Sequence, residues 1–130
     1  MAPMQFELVS PESRIASFEA DSVELPGSEG DMTVMADHAS LVTTLRPGFI
    51  RARSNLKTTE HIVTGGFVEV TAAGVSVLAE RVVPAAEATA EVFKAIAEDE
   101  EKAAEPLVGA NRDAAETRIA CLKAISAGLS

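Results

Sequence analysis

The apolar residues of this 130-residue chain recur at every second position up to Pro84 and at every third or fourth position beyond it. A period of two lines one face of a strand, and a period near 3.6 lines one stripe of a helix. No single uniform architecture satisfies both. The chain therefore reads as a β-rich body, residues 1–84, followed by a helical tail, residues 85–130.

In the body, Met4, Phe6 and Leu8 alternate with Gln5, Glu7 and Val9, a first strand that Pro11 ends by removing a backbone donor. Phe18 and Ala20 share one phase and Val23 and Leu25 the other, which predicts a bulge or short turn at Asp21–Ser22. Pro26-Gly27-Ser28-Glu29-Gly30-Asp31 predicts a tight turn, since proline presets φ and glycine admits positive φ. Short strands follow over 32–35 and 42–45, the second closed by Arg46-Pro47-Gly48. Phe49 to Arg53 sets Ile50 and Ala52 opposite Arg51 and Arg53, a half-buried, edge-like pattern. A strand around His61-Ile62-Val63 breaks at Gly65-Gly66, and His61 is expected at the surface. In Phe67 to Thr71, Val68 and Val70 share one face, Phe67 and Glu69 the other. Ala72-Ala73-Gly74 then turns the chain into a last strand with Val75, Val77 and Ala79 inward. Short strands separated by glycine-rich turns indicate an antiparallel sandwich or barrel. Crossover helices between them, which a parallel α/β sheet requires, are absent from the pattern.

Beyond Pro84, placed at a helix start, alanine dominates. Ala85 to Lys102 predicts a helix with Ala88, Val92, Phe93 and Ile96 on its stripe, ending in the acidic run Glu98-Asp99-Glu100-Glu101. That run sits poorly at a C-terminus, whose dipole favours cations. Pro106 and Gly109 interrupt the helix, and Asn111 is placed to cap a second one, with Asp113 in its first turn and Ala115, Ile119, Leu122 and Ile125 on its stripe. The result is an αα-hairpin. Alanine buries little area, so hydrophobic anchoring of the tail is expected to be modest.

Eleven basic against twenty acidic residues leave a formal charge of -9, spread over both parts. A field of that sign repels phosphate backbones and anionic headgroups, which excludes nucleic acid as a natural partner and routes any membrane association through another protein. No apolar run reaches the length of a membrane span, so direct insertion is not expected. The single Cys121 excludes an internal disulfide and reads as a packing thiol in the second helix. The first ten residues carry no signal-peptide pattern, and the chain reads as cytosolic or cytosol-facing.

Catalytic signals are weak. Neither glycine cluster has the spacing and following helix of a phosphate loop, and two histidines, His38 and His61, are too few for a zinc site. No catalytic, cofactor or metal residue is assigned. Glu29 and Asp31 read either as solvated turn residues or as an electrostatic contact to a partner. Phe67 reads either as a second packing layer or as an apolar anchor at an interface. Arg51 and Arg53 read as solvated face residues to which the tail could offer carboxylates.

The segments F-E-L-V-S-P-E, P-G-S-E-G-D-M-T-V-M-A-D-H-A-S, L-R-P-G-F-I-R and G-G-F-V-E-V…V-S-V-L-A-E, in this order and ahead of an αα tail, resemble the epsilon subunit of bacterial F-type ATP synthases almost end to end. The resemblance implies a sandwich of about ten strands that grips the gamma subunit and rests on the polar loops of the c-ring. It implies a non-catalytic rotor part that couples proton translocation to ATP synthesis, peripheral on the cytoplasmic face of the cell inner membrane. By position in the shared motif, Glu29, Asp31 and His38 fall near the c-ring and gamma contacts. The family's hairpin can also reach the alpha/beta catalytic hexamer and block hydrolysis, so a dedicated hydrolysis inhibitor acting through the tail is the alternative. Some members bind ATP through an I/L-D-x-x-R-A segment at the start of the first helix. Residues 84–90 lack both its Asp and its Arg, which speaks against an ATP site here. Arg112, Arg118 and Lys123 are the only cations of the second helix. They offer little electrostatic help for extension toward an acidic partner.

Overall fold

The structure, a computed structural model, describes residues 4–36, 40–55 and 57–129. The chain divides into two compact units, Met1–Ala85 and Ala86–Ser130. In the first, ten strands run in chain order: β1 (Met4–Val9), β2 (Arg14–Ala20), β3 (Ser22–Gly27), β4 (Gly30–Met35), β5 (Leu41–Leu45), β6 (Gly48–Ser54), β7 (Lys57–Val63), β8 (Gly66–Thr71), β9 (Gly74–Ala79) and β10 (Val82–Pro84). They form one sheet of order β10-β7-β6-β3-β5-β8-β9-β1-β2, with β4 pairing β3 off that path. The sheet folds over until β2 approaches β6, enclosing a single core as a nearly closed sandwich.

The alternation anticipated in β1, β8 and β9 holds. Met4, Phe6, Leu8, Val68, Val70, Val75, Val77 and Ala79 are all buried in one cluster with residues of β3, β5 and β6. The change of phase between Ala20 and Val23 is made at Asp21, whose amide donates to the carbonyl of Arg53 at 2.6 Å. Pairing is antiparallel throughout except between β1 and β9, which run parallel with Gln5 opposite Gly74. A Cβ at Gly74 would lie 2.0 Å from the Gln5 carbonyl oxygen, so the parallel pair depends on that glycine.

Pro26 stands inside β3 rather than in a turn. On one side β3 pairs with β6 only from Ser22 to Glu24 and with β5 only at Gly27. Pro26 occupies the gap where one neighbour hands over to the other, a place in a sheet interior that tolerates a missing donor. The turn contracts to Ser28–Glu29, between the paired residues Gly27 and Gly30. Gly30, at φ +144°, takes the conformation that favours glycine.

Two expectations fail for one reason. β6 is no edge strand: it lies between β3 and β7. His61 is no surface residue: β7 lies between β6 and β10, where Ile50 and Pro84 flank His61, and it is buried. The short β10 was invisible as a strand, because Val82-Val83-Pro84 is too brief to show a period. Pro84 consequently ends a strand instead of starting a helix.

The second unit opens with a 3₁₀ turn, Ala85–Glu87, before α1 (Ala90–Ala104) and α2 (Gly109–Leu129). The α1 start is set by Thr89, whose hydroxyl accepts from the Val92 amide at 3.2 Å, five residues later than the sequence pattern suggested. α2 begins at Gly109, with φ +64°, so Asn111 lies inside the helix and is not its cap. The two helices form the expected hairpin. Ala104, Ala115 and Ile119 make a small cluster with Leu107 against it. Polar contacts supplement it. Arg118 meets Glu100 at 3.1 Å and Lys123 meets Glu101 at 2.6 Å. Arg112 donates to the carbonyls of Ala104 and Glu105, which α1 leaves without helical partners. Ser126 donates to the Ala90 carbonyl at 2.8 Å. The acidic end of α1, awkward for that helix alone, is thus offset by cations of the next one.

Candidate partner-binding site

Of the four residues singled out from sequence, the structure describes three; His38 lies outside the described residues. Glu29 sits exposed at the tip of the β3–β4 hairpin. Asp31 follows on β4, its side chain 82% exposed yet paired with the Arg46 guanidinium. Arg46 also donates to the Gly27 carbonyl, so one side chain holds both arms of the hairpin. The Ser28 amide donates to the Thr44 carbonyl at 3.0 Å, and the Arg46 amide to that of Pro26 at 3.0 Å. The hairpin is therefore a fixed projection. Sequence reading missed the part played by Arg46, which appeared only as the residue closing β5. Its salt-bridge partner is fifteen positions away.

Beside the hairpin opens a cleft of about 290 Å³, lined by Leu25, Pro26, Met32, Thr33 and Phe49 with Asp31 and Arg46 at its polar side. Arg51 also borders it, with its guanidinium 5.1 Å from the Phe49 ring centroid and 3.5 Å from Glu60. Arg53 meets Glu24 at 3.7 Å. Both arginines thus find carboxylates on neighbouring strands of the sheet itself. These pairs are exposed, which limits each to a small stabilisation.

Phe67 belongs to β8 and faces outward, half exposed, rather than filling a second packing layer. It is the register partner of Thr44, the residue whose carbonyl holds Ser28. The hairpin and Phe67 are therefore separated by a single strand, β5, although about forty residues separate them in sequence.

Among the described residues, no group of three or more His, Cys, Asp or Glu side chains could hold a metal ion, and no helix is long and apolar enough to cross a membrane. Cys121 is half-buried and free. Among the described residues, His61 is the group whose pKa is shifted, pushed by burial below the ordinary 6.5. It lies on β7, between Ile50 of β6 and Pro84 of β10.

The family model for the beta-sandwich domain of the ATP synthase Delta/Epsilon chain matches residues 3–85. An ATP synthase epsilon chain from Fuscovulum blasticum is 48% identical over 97% of this chain and 95% of its own length. One from Rhodobacter capsulatus is 43% identical over 98% and 96%. A chain in the cryo-EM structure of the Euglena gracilis mitochondrial ATP synthase, with its F1 and c-ring, superposes with a TM-score of 0.74. It covers all of this chain and 83% of the other, at 22% identity, a likeness of fold. A sandwich of ten strands, a helical hairpin after it and relatives matched over nearly their whole length have one reading: the chain belongs to the ATP synthase epsilon-chain family, a non-catalytic subunit of that enzyme.

Proposed function

We propose that this chain is a central-stalk rotor subunit that couples proton translocation to ATP synthesis by joining the gamma subunit to the polar loops of the c-ring. The observation that carries this reading is the identity of 48% with an ATP synthase epsilon chain over almost the full length of both chains. The Euglena and Tetrahymena thermophila structures whose chains share the fold contain the c-ring. In this reading the body is the binding part. Glu29 and Asp31, on a hairpin held from both sides, and His38 serve the edge toward ring and stalk. Phe67 serves as an apolar anchor. Pre-organisation of the hairpin matters because a rotor contact must transmit torque, and a contact ordered before binding spends less of its free energy on ordering. The complex would hold the chain peripherally at the cytoplasmic face of the cell inner membrane.

The tail would modulate ATP hydrolysis at most weakly. Arg112, Arg118 and Lys123, the only cations of α2, are all engaged inside the hairpin. Reaching an acidic catalytic hexamer would require giving those pairs up. This disfavours the alternative of a dedicated inhibitor.

Association of the purified chain with the gamma subunit of its own ATP synthase tests the proposal, and failure to associate would sink it. Asp31→Arg is expected to weaken coupling of proton flow to synthesis in the reassembled enzyme. Removal of residues 85–130 is expected to leave hydrolysis nearly unchanged, whereas a large rise would favour the inhibitor reading.

A further inference from the structure

The last strand of the sheet is also its shortest. β10 has three residues, lies at one end of the strand order and pairs with β7 alone. Its final residue, Pro84, brings no backbone donor to that pairing. Each end of the pairing also holds a polar side chain shut away from water. At one end Pro84 stands opposite the buried His61. At the other, the Thr64 amide donates to the Arg81 carbonyl at 3.2 Å, one residue before β10. The Thr64 hydroxyl is fully buried and has no hydrogen-bond partner among the described residues. A polar group buried in this way loses its hydration without compensation. Opening β10 would return water to both groups, which offsets part of the cost of breaking the pairing. The strand therefore belongs to the low-stability end of the sheet.

The surroundings of His61 couple that opening to protons. His61 shares its face of β7 with Val63, a core residue, and is flanked there by Ile50 of β6 and Pro84 of β10. Glu60 and Arg51 lie on the opposite face, where they pair at 3.5 Å. Lys57 is in phase with His61 but four residues away, about 13 Å along the strand. β10 itself carries no charge. Among the residues of β6, β7 and β10, no carboxylate shares the face of His61 to stabilise an imidazolium.

We propose that β10 is a proton-gated latch: charging of His61 expels the imidazole toward water, detaches Val82–Pro84 from β7 and frees the stretch of chain that leads into the second unit. That unit begins at Ala86, two residues beyond the strand. Release of residues 82–84 lengthens the covalent connection to it by up to about 10 Å. Above pH 6.5 the imidazole is neutral whether β10 is closed or open, and the latch holds. Below that value the open form takes up the proton first. Opening then becomes easier by up to about tenfold per pH unit, until the lower pKa of the closed form is passed.

Amide exchange on the purified full chain reads the latch directly. Val83, paired with Ile62, is compared with Val77 of β9, which lies between β8 and β1. At about pH 7.5 Val83 should be at least about a hundredfold less protected than Val77, because it exchanges through a local opening. Between about pH 7.5 and about pH 5 its protection should fall about tenfold further. His61→Gln should remove that pH dependence. Thr64→Val, which deletes the orphaned hydroxyl and keeps the shape, should raise Val83 protection about threefold at every pH. Equal protection of Val83 and Val77 would mean that β10 opens only with the whole sheet, and the latch is overturned. It is overturned equally if Val83 protection ignores pH in the unmodified chain, or if the His61→Gln chain keeps the dependence.

Discussion

The sandwich and the hairpin are held together by different means. The sandwich core is built of branched aliphatic and aromatic side chains drawn from strands distant in sequence, many with no exposed surface at all. Phe6 packs edge-on against Phe18, ring centroids 5.3 Å apart. The helices bury Phe93, Ile96 and Leu122 beside a small alanine-rich cluster, and they are also joined by guanidinium–carboxylate, ammonium–carboxylate and hydroxyl–carbonyl contacts. Burial of apolar area is non-directional and is not screened by salt. Partly exposed ion pairs are weak and screened. One chain thus combines a body held by apolar burial with a tail to whose cohesion salt-sensitive ion pairs contribute more. The tail should open locally at lower free energy than the sheet.

That contrast can be broken most decisively in the core. Phe6→Ala should cost about 3–5 kcal/mol, measured by urea unfolding, since a fully buried aromatic leaves a cavity the sheet cannot close. A loss below about 1 kcal/mol would mean the sandwich is not held as described. Gly74→Ala should follow at about 3 kcal/mol, because the clash is with backbone of the parallel β1–β9 pair and neither strand can yield without losing its register. Its signature is early exchange of amides in β1 and β9. In the hairpin, Ile119→Ala should cost about 2 kcal/mol, with faster exchange confined to α1 and α2. If the sheet amides respond equally, the two units are not separable in the way the contrast requires. Arg118→Ala should remove about 1 kcal/mol at low salt and less at high salt, since its partner Glu100 is only partly shielded. A salt-independent loss would show that the arginine stem, not its charge, matters.

The smallest effect belongs to His61. Its folded pKa lies below the ordinary 6.5 because burial disfavours the cation. Above pH 6.5 both folded and unfolded forms are neutral and the full stability is present. As pH falls below that value the unfolded chain takes up the proton first, so stability declines until the folded pKa is passed. His61→Gln should shallow that decline in a series of melting curves. An unchanged slope would place its cause elsewhere.

Local pattern was legible in the sequence, and the neighbours of each element were not. Inward and outward faces of β1, β8 and β9, a turn within Pro26–Asp31 and the existence of two tail helices follow from alternation, turn chemistry and helical period. These are local properties of a backbone with few allowed conformations, and no neighbour is needed to impose them. Which element lies beside which is not local. The parallel pairing of Gln5 with Gly74, the burial of His61 by β6 and β10, and the reach of Arg46 to Asp31 all depend on the closing of the sheet. So does the row that sets Phe67 beside Leu78 and Val9. A strand's sequence states which face it buries, but its two edges present the same backbone groups to any neighbour. Tertiary packing alone chose among them, and with that choice it decided which exposed residues became one surface.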